Sequence, residues 1–458
     1  MKLLVVLAVG LRPCDLADAP KIQSLAGEGF AVPLHSVFPA VTCTVQASFL
    51  TGRLPREHGI VGNGWYHRDT SEIRFWLQSN RLIEGTTFVE SAVTGTPSRR
   101  VAKLFWWFNM YSAAQLAVTP RPEYHSDGMK VPGLYSEPAD LKDRLQEELG
   151  SFPLFKFWGP GAGIESTEWI ASSASRVLAK EDPDLALVYL PHLDYDHQRF
   201  GPDDPRSRQA VAELDRVVGG LIDGARSEGR EVLILSEYGI EPVQQPVFLN
   251  RALRESGLLR VQKTGHGELL DAGASDAFAV CDHQAAHVYV RDSARIRAVA
   301  QQLQSLEGVA RVLDRGGQHE LGIDHPRAGE LVCVAEPGCW FAYPYWLEES
   351  ARPDFATSVD IHRKPGYDPA ELFVDPKIRS PKARIIRRVL QKKLGFRYRM
   401  DVISTDPSQV RGSHGLLPTD PERGAVAVGS FPFNRDLLAA VEVSDLIQAR
   451  LRASSSRD

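Results

Sequence analysis

Three short, unbroken apolar runs, each ending in polar residues, narrow the architectures open to this chain: LLVVLAV near the start, LALVYLPHLD, and EVLILSEYG. A strand apolar at every position is buried on both faces, which a parallel sheet between two helix layers provides. Helix-compatible segments separate the runs, such as PRSRQAVAELDRVVGGLIDGARSEG over 205–229. Strands alternating with helices indicate the α/β class, and ligands in such sheets sit at the carboxyl ends of the strands, where these polar residues fall. The opening MKLLVVLAVGL reads as the first buried strand rather than a secretory signal. It carries one Lys and a short apolar core, with no small-residue cleavage site before Arg12, Pro13 and Asp15. It is also too short to span a bilayer.

A different pattern occupies residues 277–341. HVYVRD, ARIRAVAQQLQSLEG, ARVLD and GELVCVAE read as strand, helix, strand, strand, a small α+β subdomain inserted in the main one. The expected organisation is a core formed by 1–260 and 350–430, an insert over 261–349, and a C-terminal helix and tail over 431–458. The helix-like DLLAAVEVSDLIQARL packs against the core or against a second copy, which leaves a homodimer open.

Net charge is −5, with both signs mixed along the chain. That argues against a nucleic-acid-coating surface or a membrane-surface protein. The basic run RSPKARIIRRVLQKKLGFRYR (379–399) is expected to be a solvated amphipathic face rather than a phosphate or lipid site. The five cysteines, Cys14, Cys43, Cys281, Cys333 and Cys339, are odd in number and lack paired metal spacings. Reduced thiols in a cytoplasmic protein account for them, with Cys43 a packing residue.

The chemistry concentrates in FPAVTCTVQASFLTGRLPREHGIVGN, residues 38–63. Thr42 stands just before a helix-compatible stretch, and Asn63 follows a Gly-containing loop. A threonine at a helix N-terminus can act as a nucleophile, because the positive helix end favours an alkoxide and the phosphate it attacks. A nearby side-chain amide can donate to a phosphoryl oxygen as charge develops there. Alone, either residue reads as a helix cap or a turn former.

Together, FPAVT…TG…P…HGIVGN resembles the nucleophile region of the nucleotide pyrophosphatase/phosphodiesterases, a branch of the alkaline phosphatase superfamily. The resemblance implies an alkaline-phosphatase-like three-layer sandwich, a Thr nucleophile at Thr42 working between two zinc ions, and a phosphoryl-oxygen contact at Asn63. It continues through HPRAGELVCVAEPGCWF (325–341), with Glu330 in the family's Asp place, and reaches RGSHG (411–415), similar to the family's late Gly-x-His-Gly metal motif.

The implied metal site is altered. The family's first Asp ligand is replaced by Val9, and Asp15 beyond the turn is a helix cap rather than a substitute. In LDYDHQRFGP the Asp of an Asp-x-x-x-His pair falls on Asp194, while the His place holds Gln198, with His197 one residue off register. Glutamine suits Mg2+ or Ca2+ better than zinc. SEYG stands where the family has Ser-Asp-His-Gly, so Glu237 replaces Asp and Tyr238 replaces His. His414 is retained. The expected ligands are thus Asp194, Glu237 and His414, holding one or two divalent ions: Zn2+ by resemblance, or Mn2+ or Mg2+.

Asp282 with His283, and Asp360 with His362, are reserve ligands or phosphate contacts, although packing outweighs ligation for each. His287 reads as packing. In KLFWWFNMYS, Trp106 and Trp107 could stack on a flat substrate ring, against the alternative of burial on the sheet. Lys364 is a candidate anion contact.

The resulting expectation is a metal-dependent phosphoric ester hydrolase of the phosphodiesterase or nucleotide pyrophosphatase type, acting on a small phosphorylated substrate through a phosphothreonine. Neither a nucleic-acid polymer nor a membrane is expected as partner. The alternatives are a non-hydrolytic, phosphometabolite-binding descendant with a decayed metal site, or a single-metal hydrolase of another ester or a phosphonate.

Overall fold

All six residues of Leu3–Ala8 are buried, as are all six of Leu185–Leu190, so both faces of the sheet at its centre are covered. The computed structural model describes residues 2–126, 130–396 and 398–453. Nine strands form the main sheet in the spatial order Leu438–Ala439, Phe30–His35, Ala425–Gly429, Glu231–Leu235, Leu3–Ala8, Leu185–Leu190, Val101–Leu104, Leu116–Pro120, Leu134–Glu137. Five consecutive strands, from Glu231–Leu235 to Leu116–Pro120, pair in parallel. Ala425–Gly429 runs antiparallel to both of its neighbours, and Leu134–Glu137 antiparallel to Leu116–Pro120. Pro20–Glu28, Ile164–Glu181 and Pro205–Ser227 pack together as one helical layer, and Thr42–Thr51, Phe88–Thr94 and Val443–Arg452 as another. This is the mostly parallel α/β sandwich expected.

Parallel strands bring their carboxyl ends to one edge. Leu3–Ala8 leads there into Val9 and Gly10, Leu185–Leu190 into the helix His192–Phe200, and Glu231–Leu235 into Ser236, Glu237 and Tyr238. Asp194 therefore sits in the first turn of a helix, not on the strand end.

The strands Ala277–Asp282, Ala285–Val290, Leu331–Ala335 and Val309–Leu313 build a separate four-stranded sheet, in that spatial order. The first of these adds to the strands that the sequence pattern indicates. It forms a hairpin with the second, pairing Asp282 with Ala285 around His283, whose φ is 59°. The hairpin tip delivers Asp282 and His283 to the carboxyl edge of the main sheet. Of the two placements open for the C-terminal segment, Val443–Arg452 packs on the core, against Thr42–Thr51. Among the described residues, no helix is long and apolar enough to cross a membrane.

Candidate active site

Thr42 is the first residue of the helix Thr42–Thr51, and the chain reaches it through the extended Val41. The helix ends at Gly52, whose φ of 68° admits few side chains. Thr42 is 4% exposed and Asn63 2%, so the site lies in the interior. The Cys43 amide donates to Asn63 Oδ1 at 2.9 Å, which ties the asparagine to the helix N-terminus beside Thr42. Asn63 is gripped from behind by Asp282. The Asn63 backbone amide donates to Oδ2 at 2.7 Å, and its Nδ2 to Oδ1 at 3.0 Å. One turn beyond Thr42, Gln46 Nε2 donates to Glu237 Oε1 at 2.7 Å, and Gln46 Oε1 accepts from the Trp107 amide at 2.8 Å.

Thr42 Oγ and the Tyr238 hydroxyl share a hydrogen bond of 2.9 Å. The Tyr238 ring lies flat on His414, with centroids 3.6 Å apart and planes 7° apart. His414 faces His283 at 3.6 Å, and His283 stacks on Tyr367 at 3.7 Å. Tyr367 then donates its hydroxyl to Gln198 Oε1 at 2.9 Å. The residues in the family's ligand places are therefore joined through a column of rings. Burial pushes the Tyr238 phenol far above its ordinary range, so it remains neutral and cannot take a proton from Thr42.

The acids and imidazoles share this dry environment. Burial raises Asp194 to about 7, partly offset by the neighbouring Gln198 amide, and raises Asp282 to about 7 against its two bonds from Asn63. Burial drives Glu237 well above the ordinary carboxyl range, with Gln46 pulling the other way and Asp194 adding repulsion. His414 falls to about 3 for the same reason and is neutral at pH 7. Its Nδ1–H donates to the Ala40 carbonyl at 2.8 Å, which leaves Nε2 with a lone pair, 3.9 Å from Asp194 Oδ1.

These residues do not fit a pair of cations. Val9, Gln198 and Tyr238 stand in three ligand places, and among the described residues no three His, Cys, Asp or Glu side chains gather closely enough to hold a metal ion. The expected trio of Asp194, Glu237 and His414 does not close as a three-ligand site: Gln46 holds Glu237 through Oε1, and His414 Nε2 comes within 4 Å of Asp194. That pair fits a single cation. Asp194 Oδ1 and Glu237 Oε2 are buried oxygens with no hydrogen-bond partner, and neutral Nε2 is the ligating form of histidine.

Two further expectations are corrected. Lys364 is buried between Asp368 and Glu371, 2.7 Å from each, so its charge is already neutralised and it is no anion contact. Trp106 is fully buried in the sheet core against Phe49, with no face open for stacking on a ring. Trp107 is half-buried, with its ring 4.9 Å from Trp76, and reaches the site through its amide. Asp360 pairs with Arg363, and His362 contacts the Phe75 carbonyl, so neither joins the cluster. His287 is a packing residue, with Nε2 2.9 Å from the Val61 carbonyl. Gln46 and Tyr367 join the site without having been expected there. The polar turn DHQ between two apolar strands was the available signal for Asp282 and His283, while nothing local marks Tyr367.

A hydroxyl and an amide thus meet at one helix N-terminus, on the carboxyl edge of a mostly parallel sheet. Residues 3–368 match the family model for type I phosphodiesterase / nucleotide pyrophosphatase, and the chain belongs to that family. It is 24% identical over 268 residues to an uncharacterized pyrophosphatase/phosphodiesterase of Schizosaccharomyces pombe, covering 56% of this chain and 46% of that one. Over 239 residues it is 22% identical to ectonucleotide pyrophosphatase/phosphodiesterase family member 7 of Mus musculus, covering 50% and 47%. The matches thus span about half the length of these curated relatives. Among solved structures, phosphonoacetate hydrolase of Sinorhizobium meliloti 1021 in complex with phosphonoformate superposes with a TM-score of 0.61 at 15% identity, covering 98% of this chain and 96% of that one. Murine ectonucleotide pyrophosphatase/phosphodiesterase 5, an inactive form in complex with AMP, gives 0.60 at 14%, covering 99% and 95%. At these identities the structural likeness shows the fold.

Proposed function

We propose that the chain hydrolyses phosphoric esters of small molecules through the hydroxyl of Thr42, by way of a phosphothreonine. The observation that carries this is the union of Thr42 and Asn63 at one helix N-terminus, fixed by the Cys43–Asn63 bond and backed by Asp282. In the first step the Thr42 Oγ–phosphorus bond forms while the ester oxygen leaves with a proton. In the second, water breaks the Oγ–phosphorus bond and Thr42 regains its proton. The helix N-terminus favours the phosphoryl charge, and Asn63 Nδ2 carries a second hydrogen for a phosphoryl oxygen. Asp194 and His414 would hold one divalent cation, which when bound supplies positive charge beside the Thr42 hydroxyl. Zn2+, Mn2+ and Mg2+ are all to be tried. For reaction, Tyr238 has to release Thr42.

A second reading is favoured by the same Tyr238 ring, flat on His414 with its hydroxyl on Thr42. In it the site binds an intact phosphorylated metabolite without turnover. One experiment separates the two. Metal-stripped protein is resupplied with each cation and given bis(p-nitrophenyl) phosphate, a nucleoside monophosphate and a phosphonate, with Thr42→Ala alongside. Cation-dependent turnover that vanishes in Thr42→Ala supports the hydrolase. Turnover unchanged in Thr42→Ala rejects Thr42 as nucleophile, and tight binding with no turnover under any cation selects the second reading. We place the chain in the cytoplasm because its five cysteines are all unpaired; recovery in an extracytoplasmic fraction would refute this.

A further inference from the structure

The helix Pro381–Lys393 contains no buried residue. Its orientation is the reverse of what an amphipathic surface helix adopts. Ile385, Arg388, Gln391 and Lys392 are half-buried on the inner side, and Arg388 donates from Nε and Nη2 to the two Asp401 carboxylate oxygens at 2.9 Å. The apolar stripe faces out: Ile386 is 59% exposed, Leu390 53%, Leu394 70% and Phe396 65%. Exposed Lys382, Arg387 and Lys393 flank it. From Lys377 to Arg399 the sequence has ten basic residues and no acidic one, in a chain whose net charge is −5. The sequence reading expects a solvated amphipathic face; the helix does lie at the surface, with its apolar stripe rather than its basic side turned outward.

We propose that this helix seats the protein on an anionic membrane surface, independently of what the active site does. Three features select a lipid interface over a folded partner. Ile386, Leu390, Leu394 and Phe396 line one broad, open apolar face, which a deformable acyl layer can fill. Basic side chains, Lys382, Arg387 and Lys393, flank this apolar face at the level of the headgroups. Arg384 and Arg388 pair with Asp401 and Arg399 with Asp354, yet the exposed Lys382, Arg387 and Lys393 around the apolar face leave it positive, which complements a uniform negative surface.

The test is co-sedimentation of the full chain with vesicles of phosphatidylcholine alone or of equal parts phosphatidylcholine and phosphatidylglycerol, at low and high salt. The expected result is binding to the anionic vesicles only, weakened by salt. Ile386→Ser with Leu390→Ser and Leu394→Ser abolishes it, and Arg387→Glu with Lys393→Glu weakens it more than about tenfold, at about fivefold per charge. These positions are exposed, so unchanged melting temperatures verify that the variants are folded. Absence of vesicle binding, equal binding to neutral vesicles, or binding unaltered in both variants overturns the proposal. So does a dimer seen by light scattering, or retention on polyglutamate, that the same substitutions remove while vesicles are not bound; either outcome assigns the apolar face to protein contacts.

Discussion

Asp282 holds Asn63 in place from the interior, so the substitution Asp282→Asn should change stability with a sign that depends on pH. The new side-chain amide would keep one carbonyl for one Asn63 donor and set an NH2 group against the other. Losing that bond and leaving a buried donor unpaired costs about 1–3 kcal/mol. The wild-type carboxyl carries a cost of its own. Its pKa rises from 3.8 to about 7 in the fold. At about 1.4 kcal/mol per tenfold change in the equilibrium constant, keeping it ionised in the fold costs about 4 kcal/mol. The folded pKa lies above the unfolded one, so this contribution is fully favourable below pH about 4 and is lost as pH rises through about 7. Near pH 4 the wild type is therefore the more stable protein, and by pH 5 about 1.6 kcal/mol of that margin is gone. By pH 8 its Asp282 is ionised at a burial cost that the two Asn63 bonds only partly offset, and Asp282→Asn is equal or better by about 1–3 kcal/mol. The other buried acids titrate in both proteins and cancel in the difference. Urea denaturation at several values between pH 4 and pH 8 measures this difference, and the two stability curves are expected to converge or cross. Parallel curves with a constant gap would mean that Asp282 is already ionised at pH 4, and would refute the argument.

Lys364→Met leaves Asp368 and Glu371 buried without their cation and should destabilise by about 3–5 kcal/mol, with KM unchanged in any substrate that is turned over. A raised KM with normal stability would return Lys364 to the substrate site. Trp106→Ala empties a core position and should cost about 3–5 kcal/mol, read by urea denaturation, without altering substrate selectivity. Trp107→Ala should instead affect substrate handling more than stability, since its ring is half-buried beside Trp76; equal losses of stability in the two variants would count against that division. Tyr238→Phe removes the hydroxyl from Thr42 while keeping the ring on His414. Because the phenol is neutral, activity should not fall by more than about tenfold, whereas a general base contributes about a hundredfold or more. A larger loss would assign Tyr238 a direct part in proton transfer.

How far the sequence carried this account depended on the range of the interactions involved. Unbroken apolar runs specified buried parallel strands, because burial on both faces demands that composition wherever the strand lies. The block from Phe38 to Asn63 was legible as a unit, since the helix start at Thr42 and the loop before Asn63 are local features. The losses at Val9, Gln198 and Tyr238 could likewise be seen in the sequence by comparison with the family pattern. Their consequence could not. Tyr238 meets His414 from a distant part of the chain, and Asn63 meets Asp282 from another sheet; these juxtapositions exist only once the strands are ordered. Lys364 shows the same limit, because a lysine's availability is decided by carboxylates that the fold sets beside it. The orientation of Pro381–Lys393 is the clearest case. Its periodicity established that the helix is amphipathic, but the Arg388–Asp401 contact, a tertiary one, decided which face the protein covers and which it leaves outside.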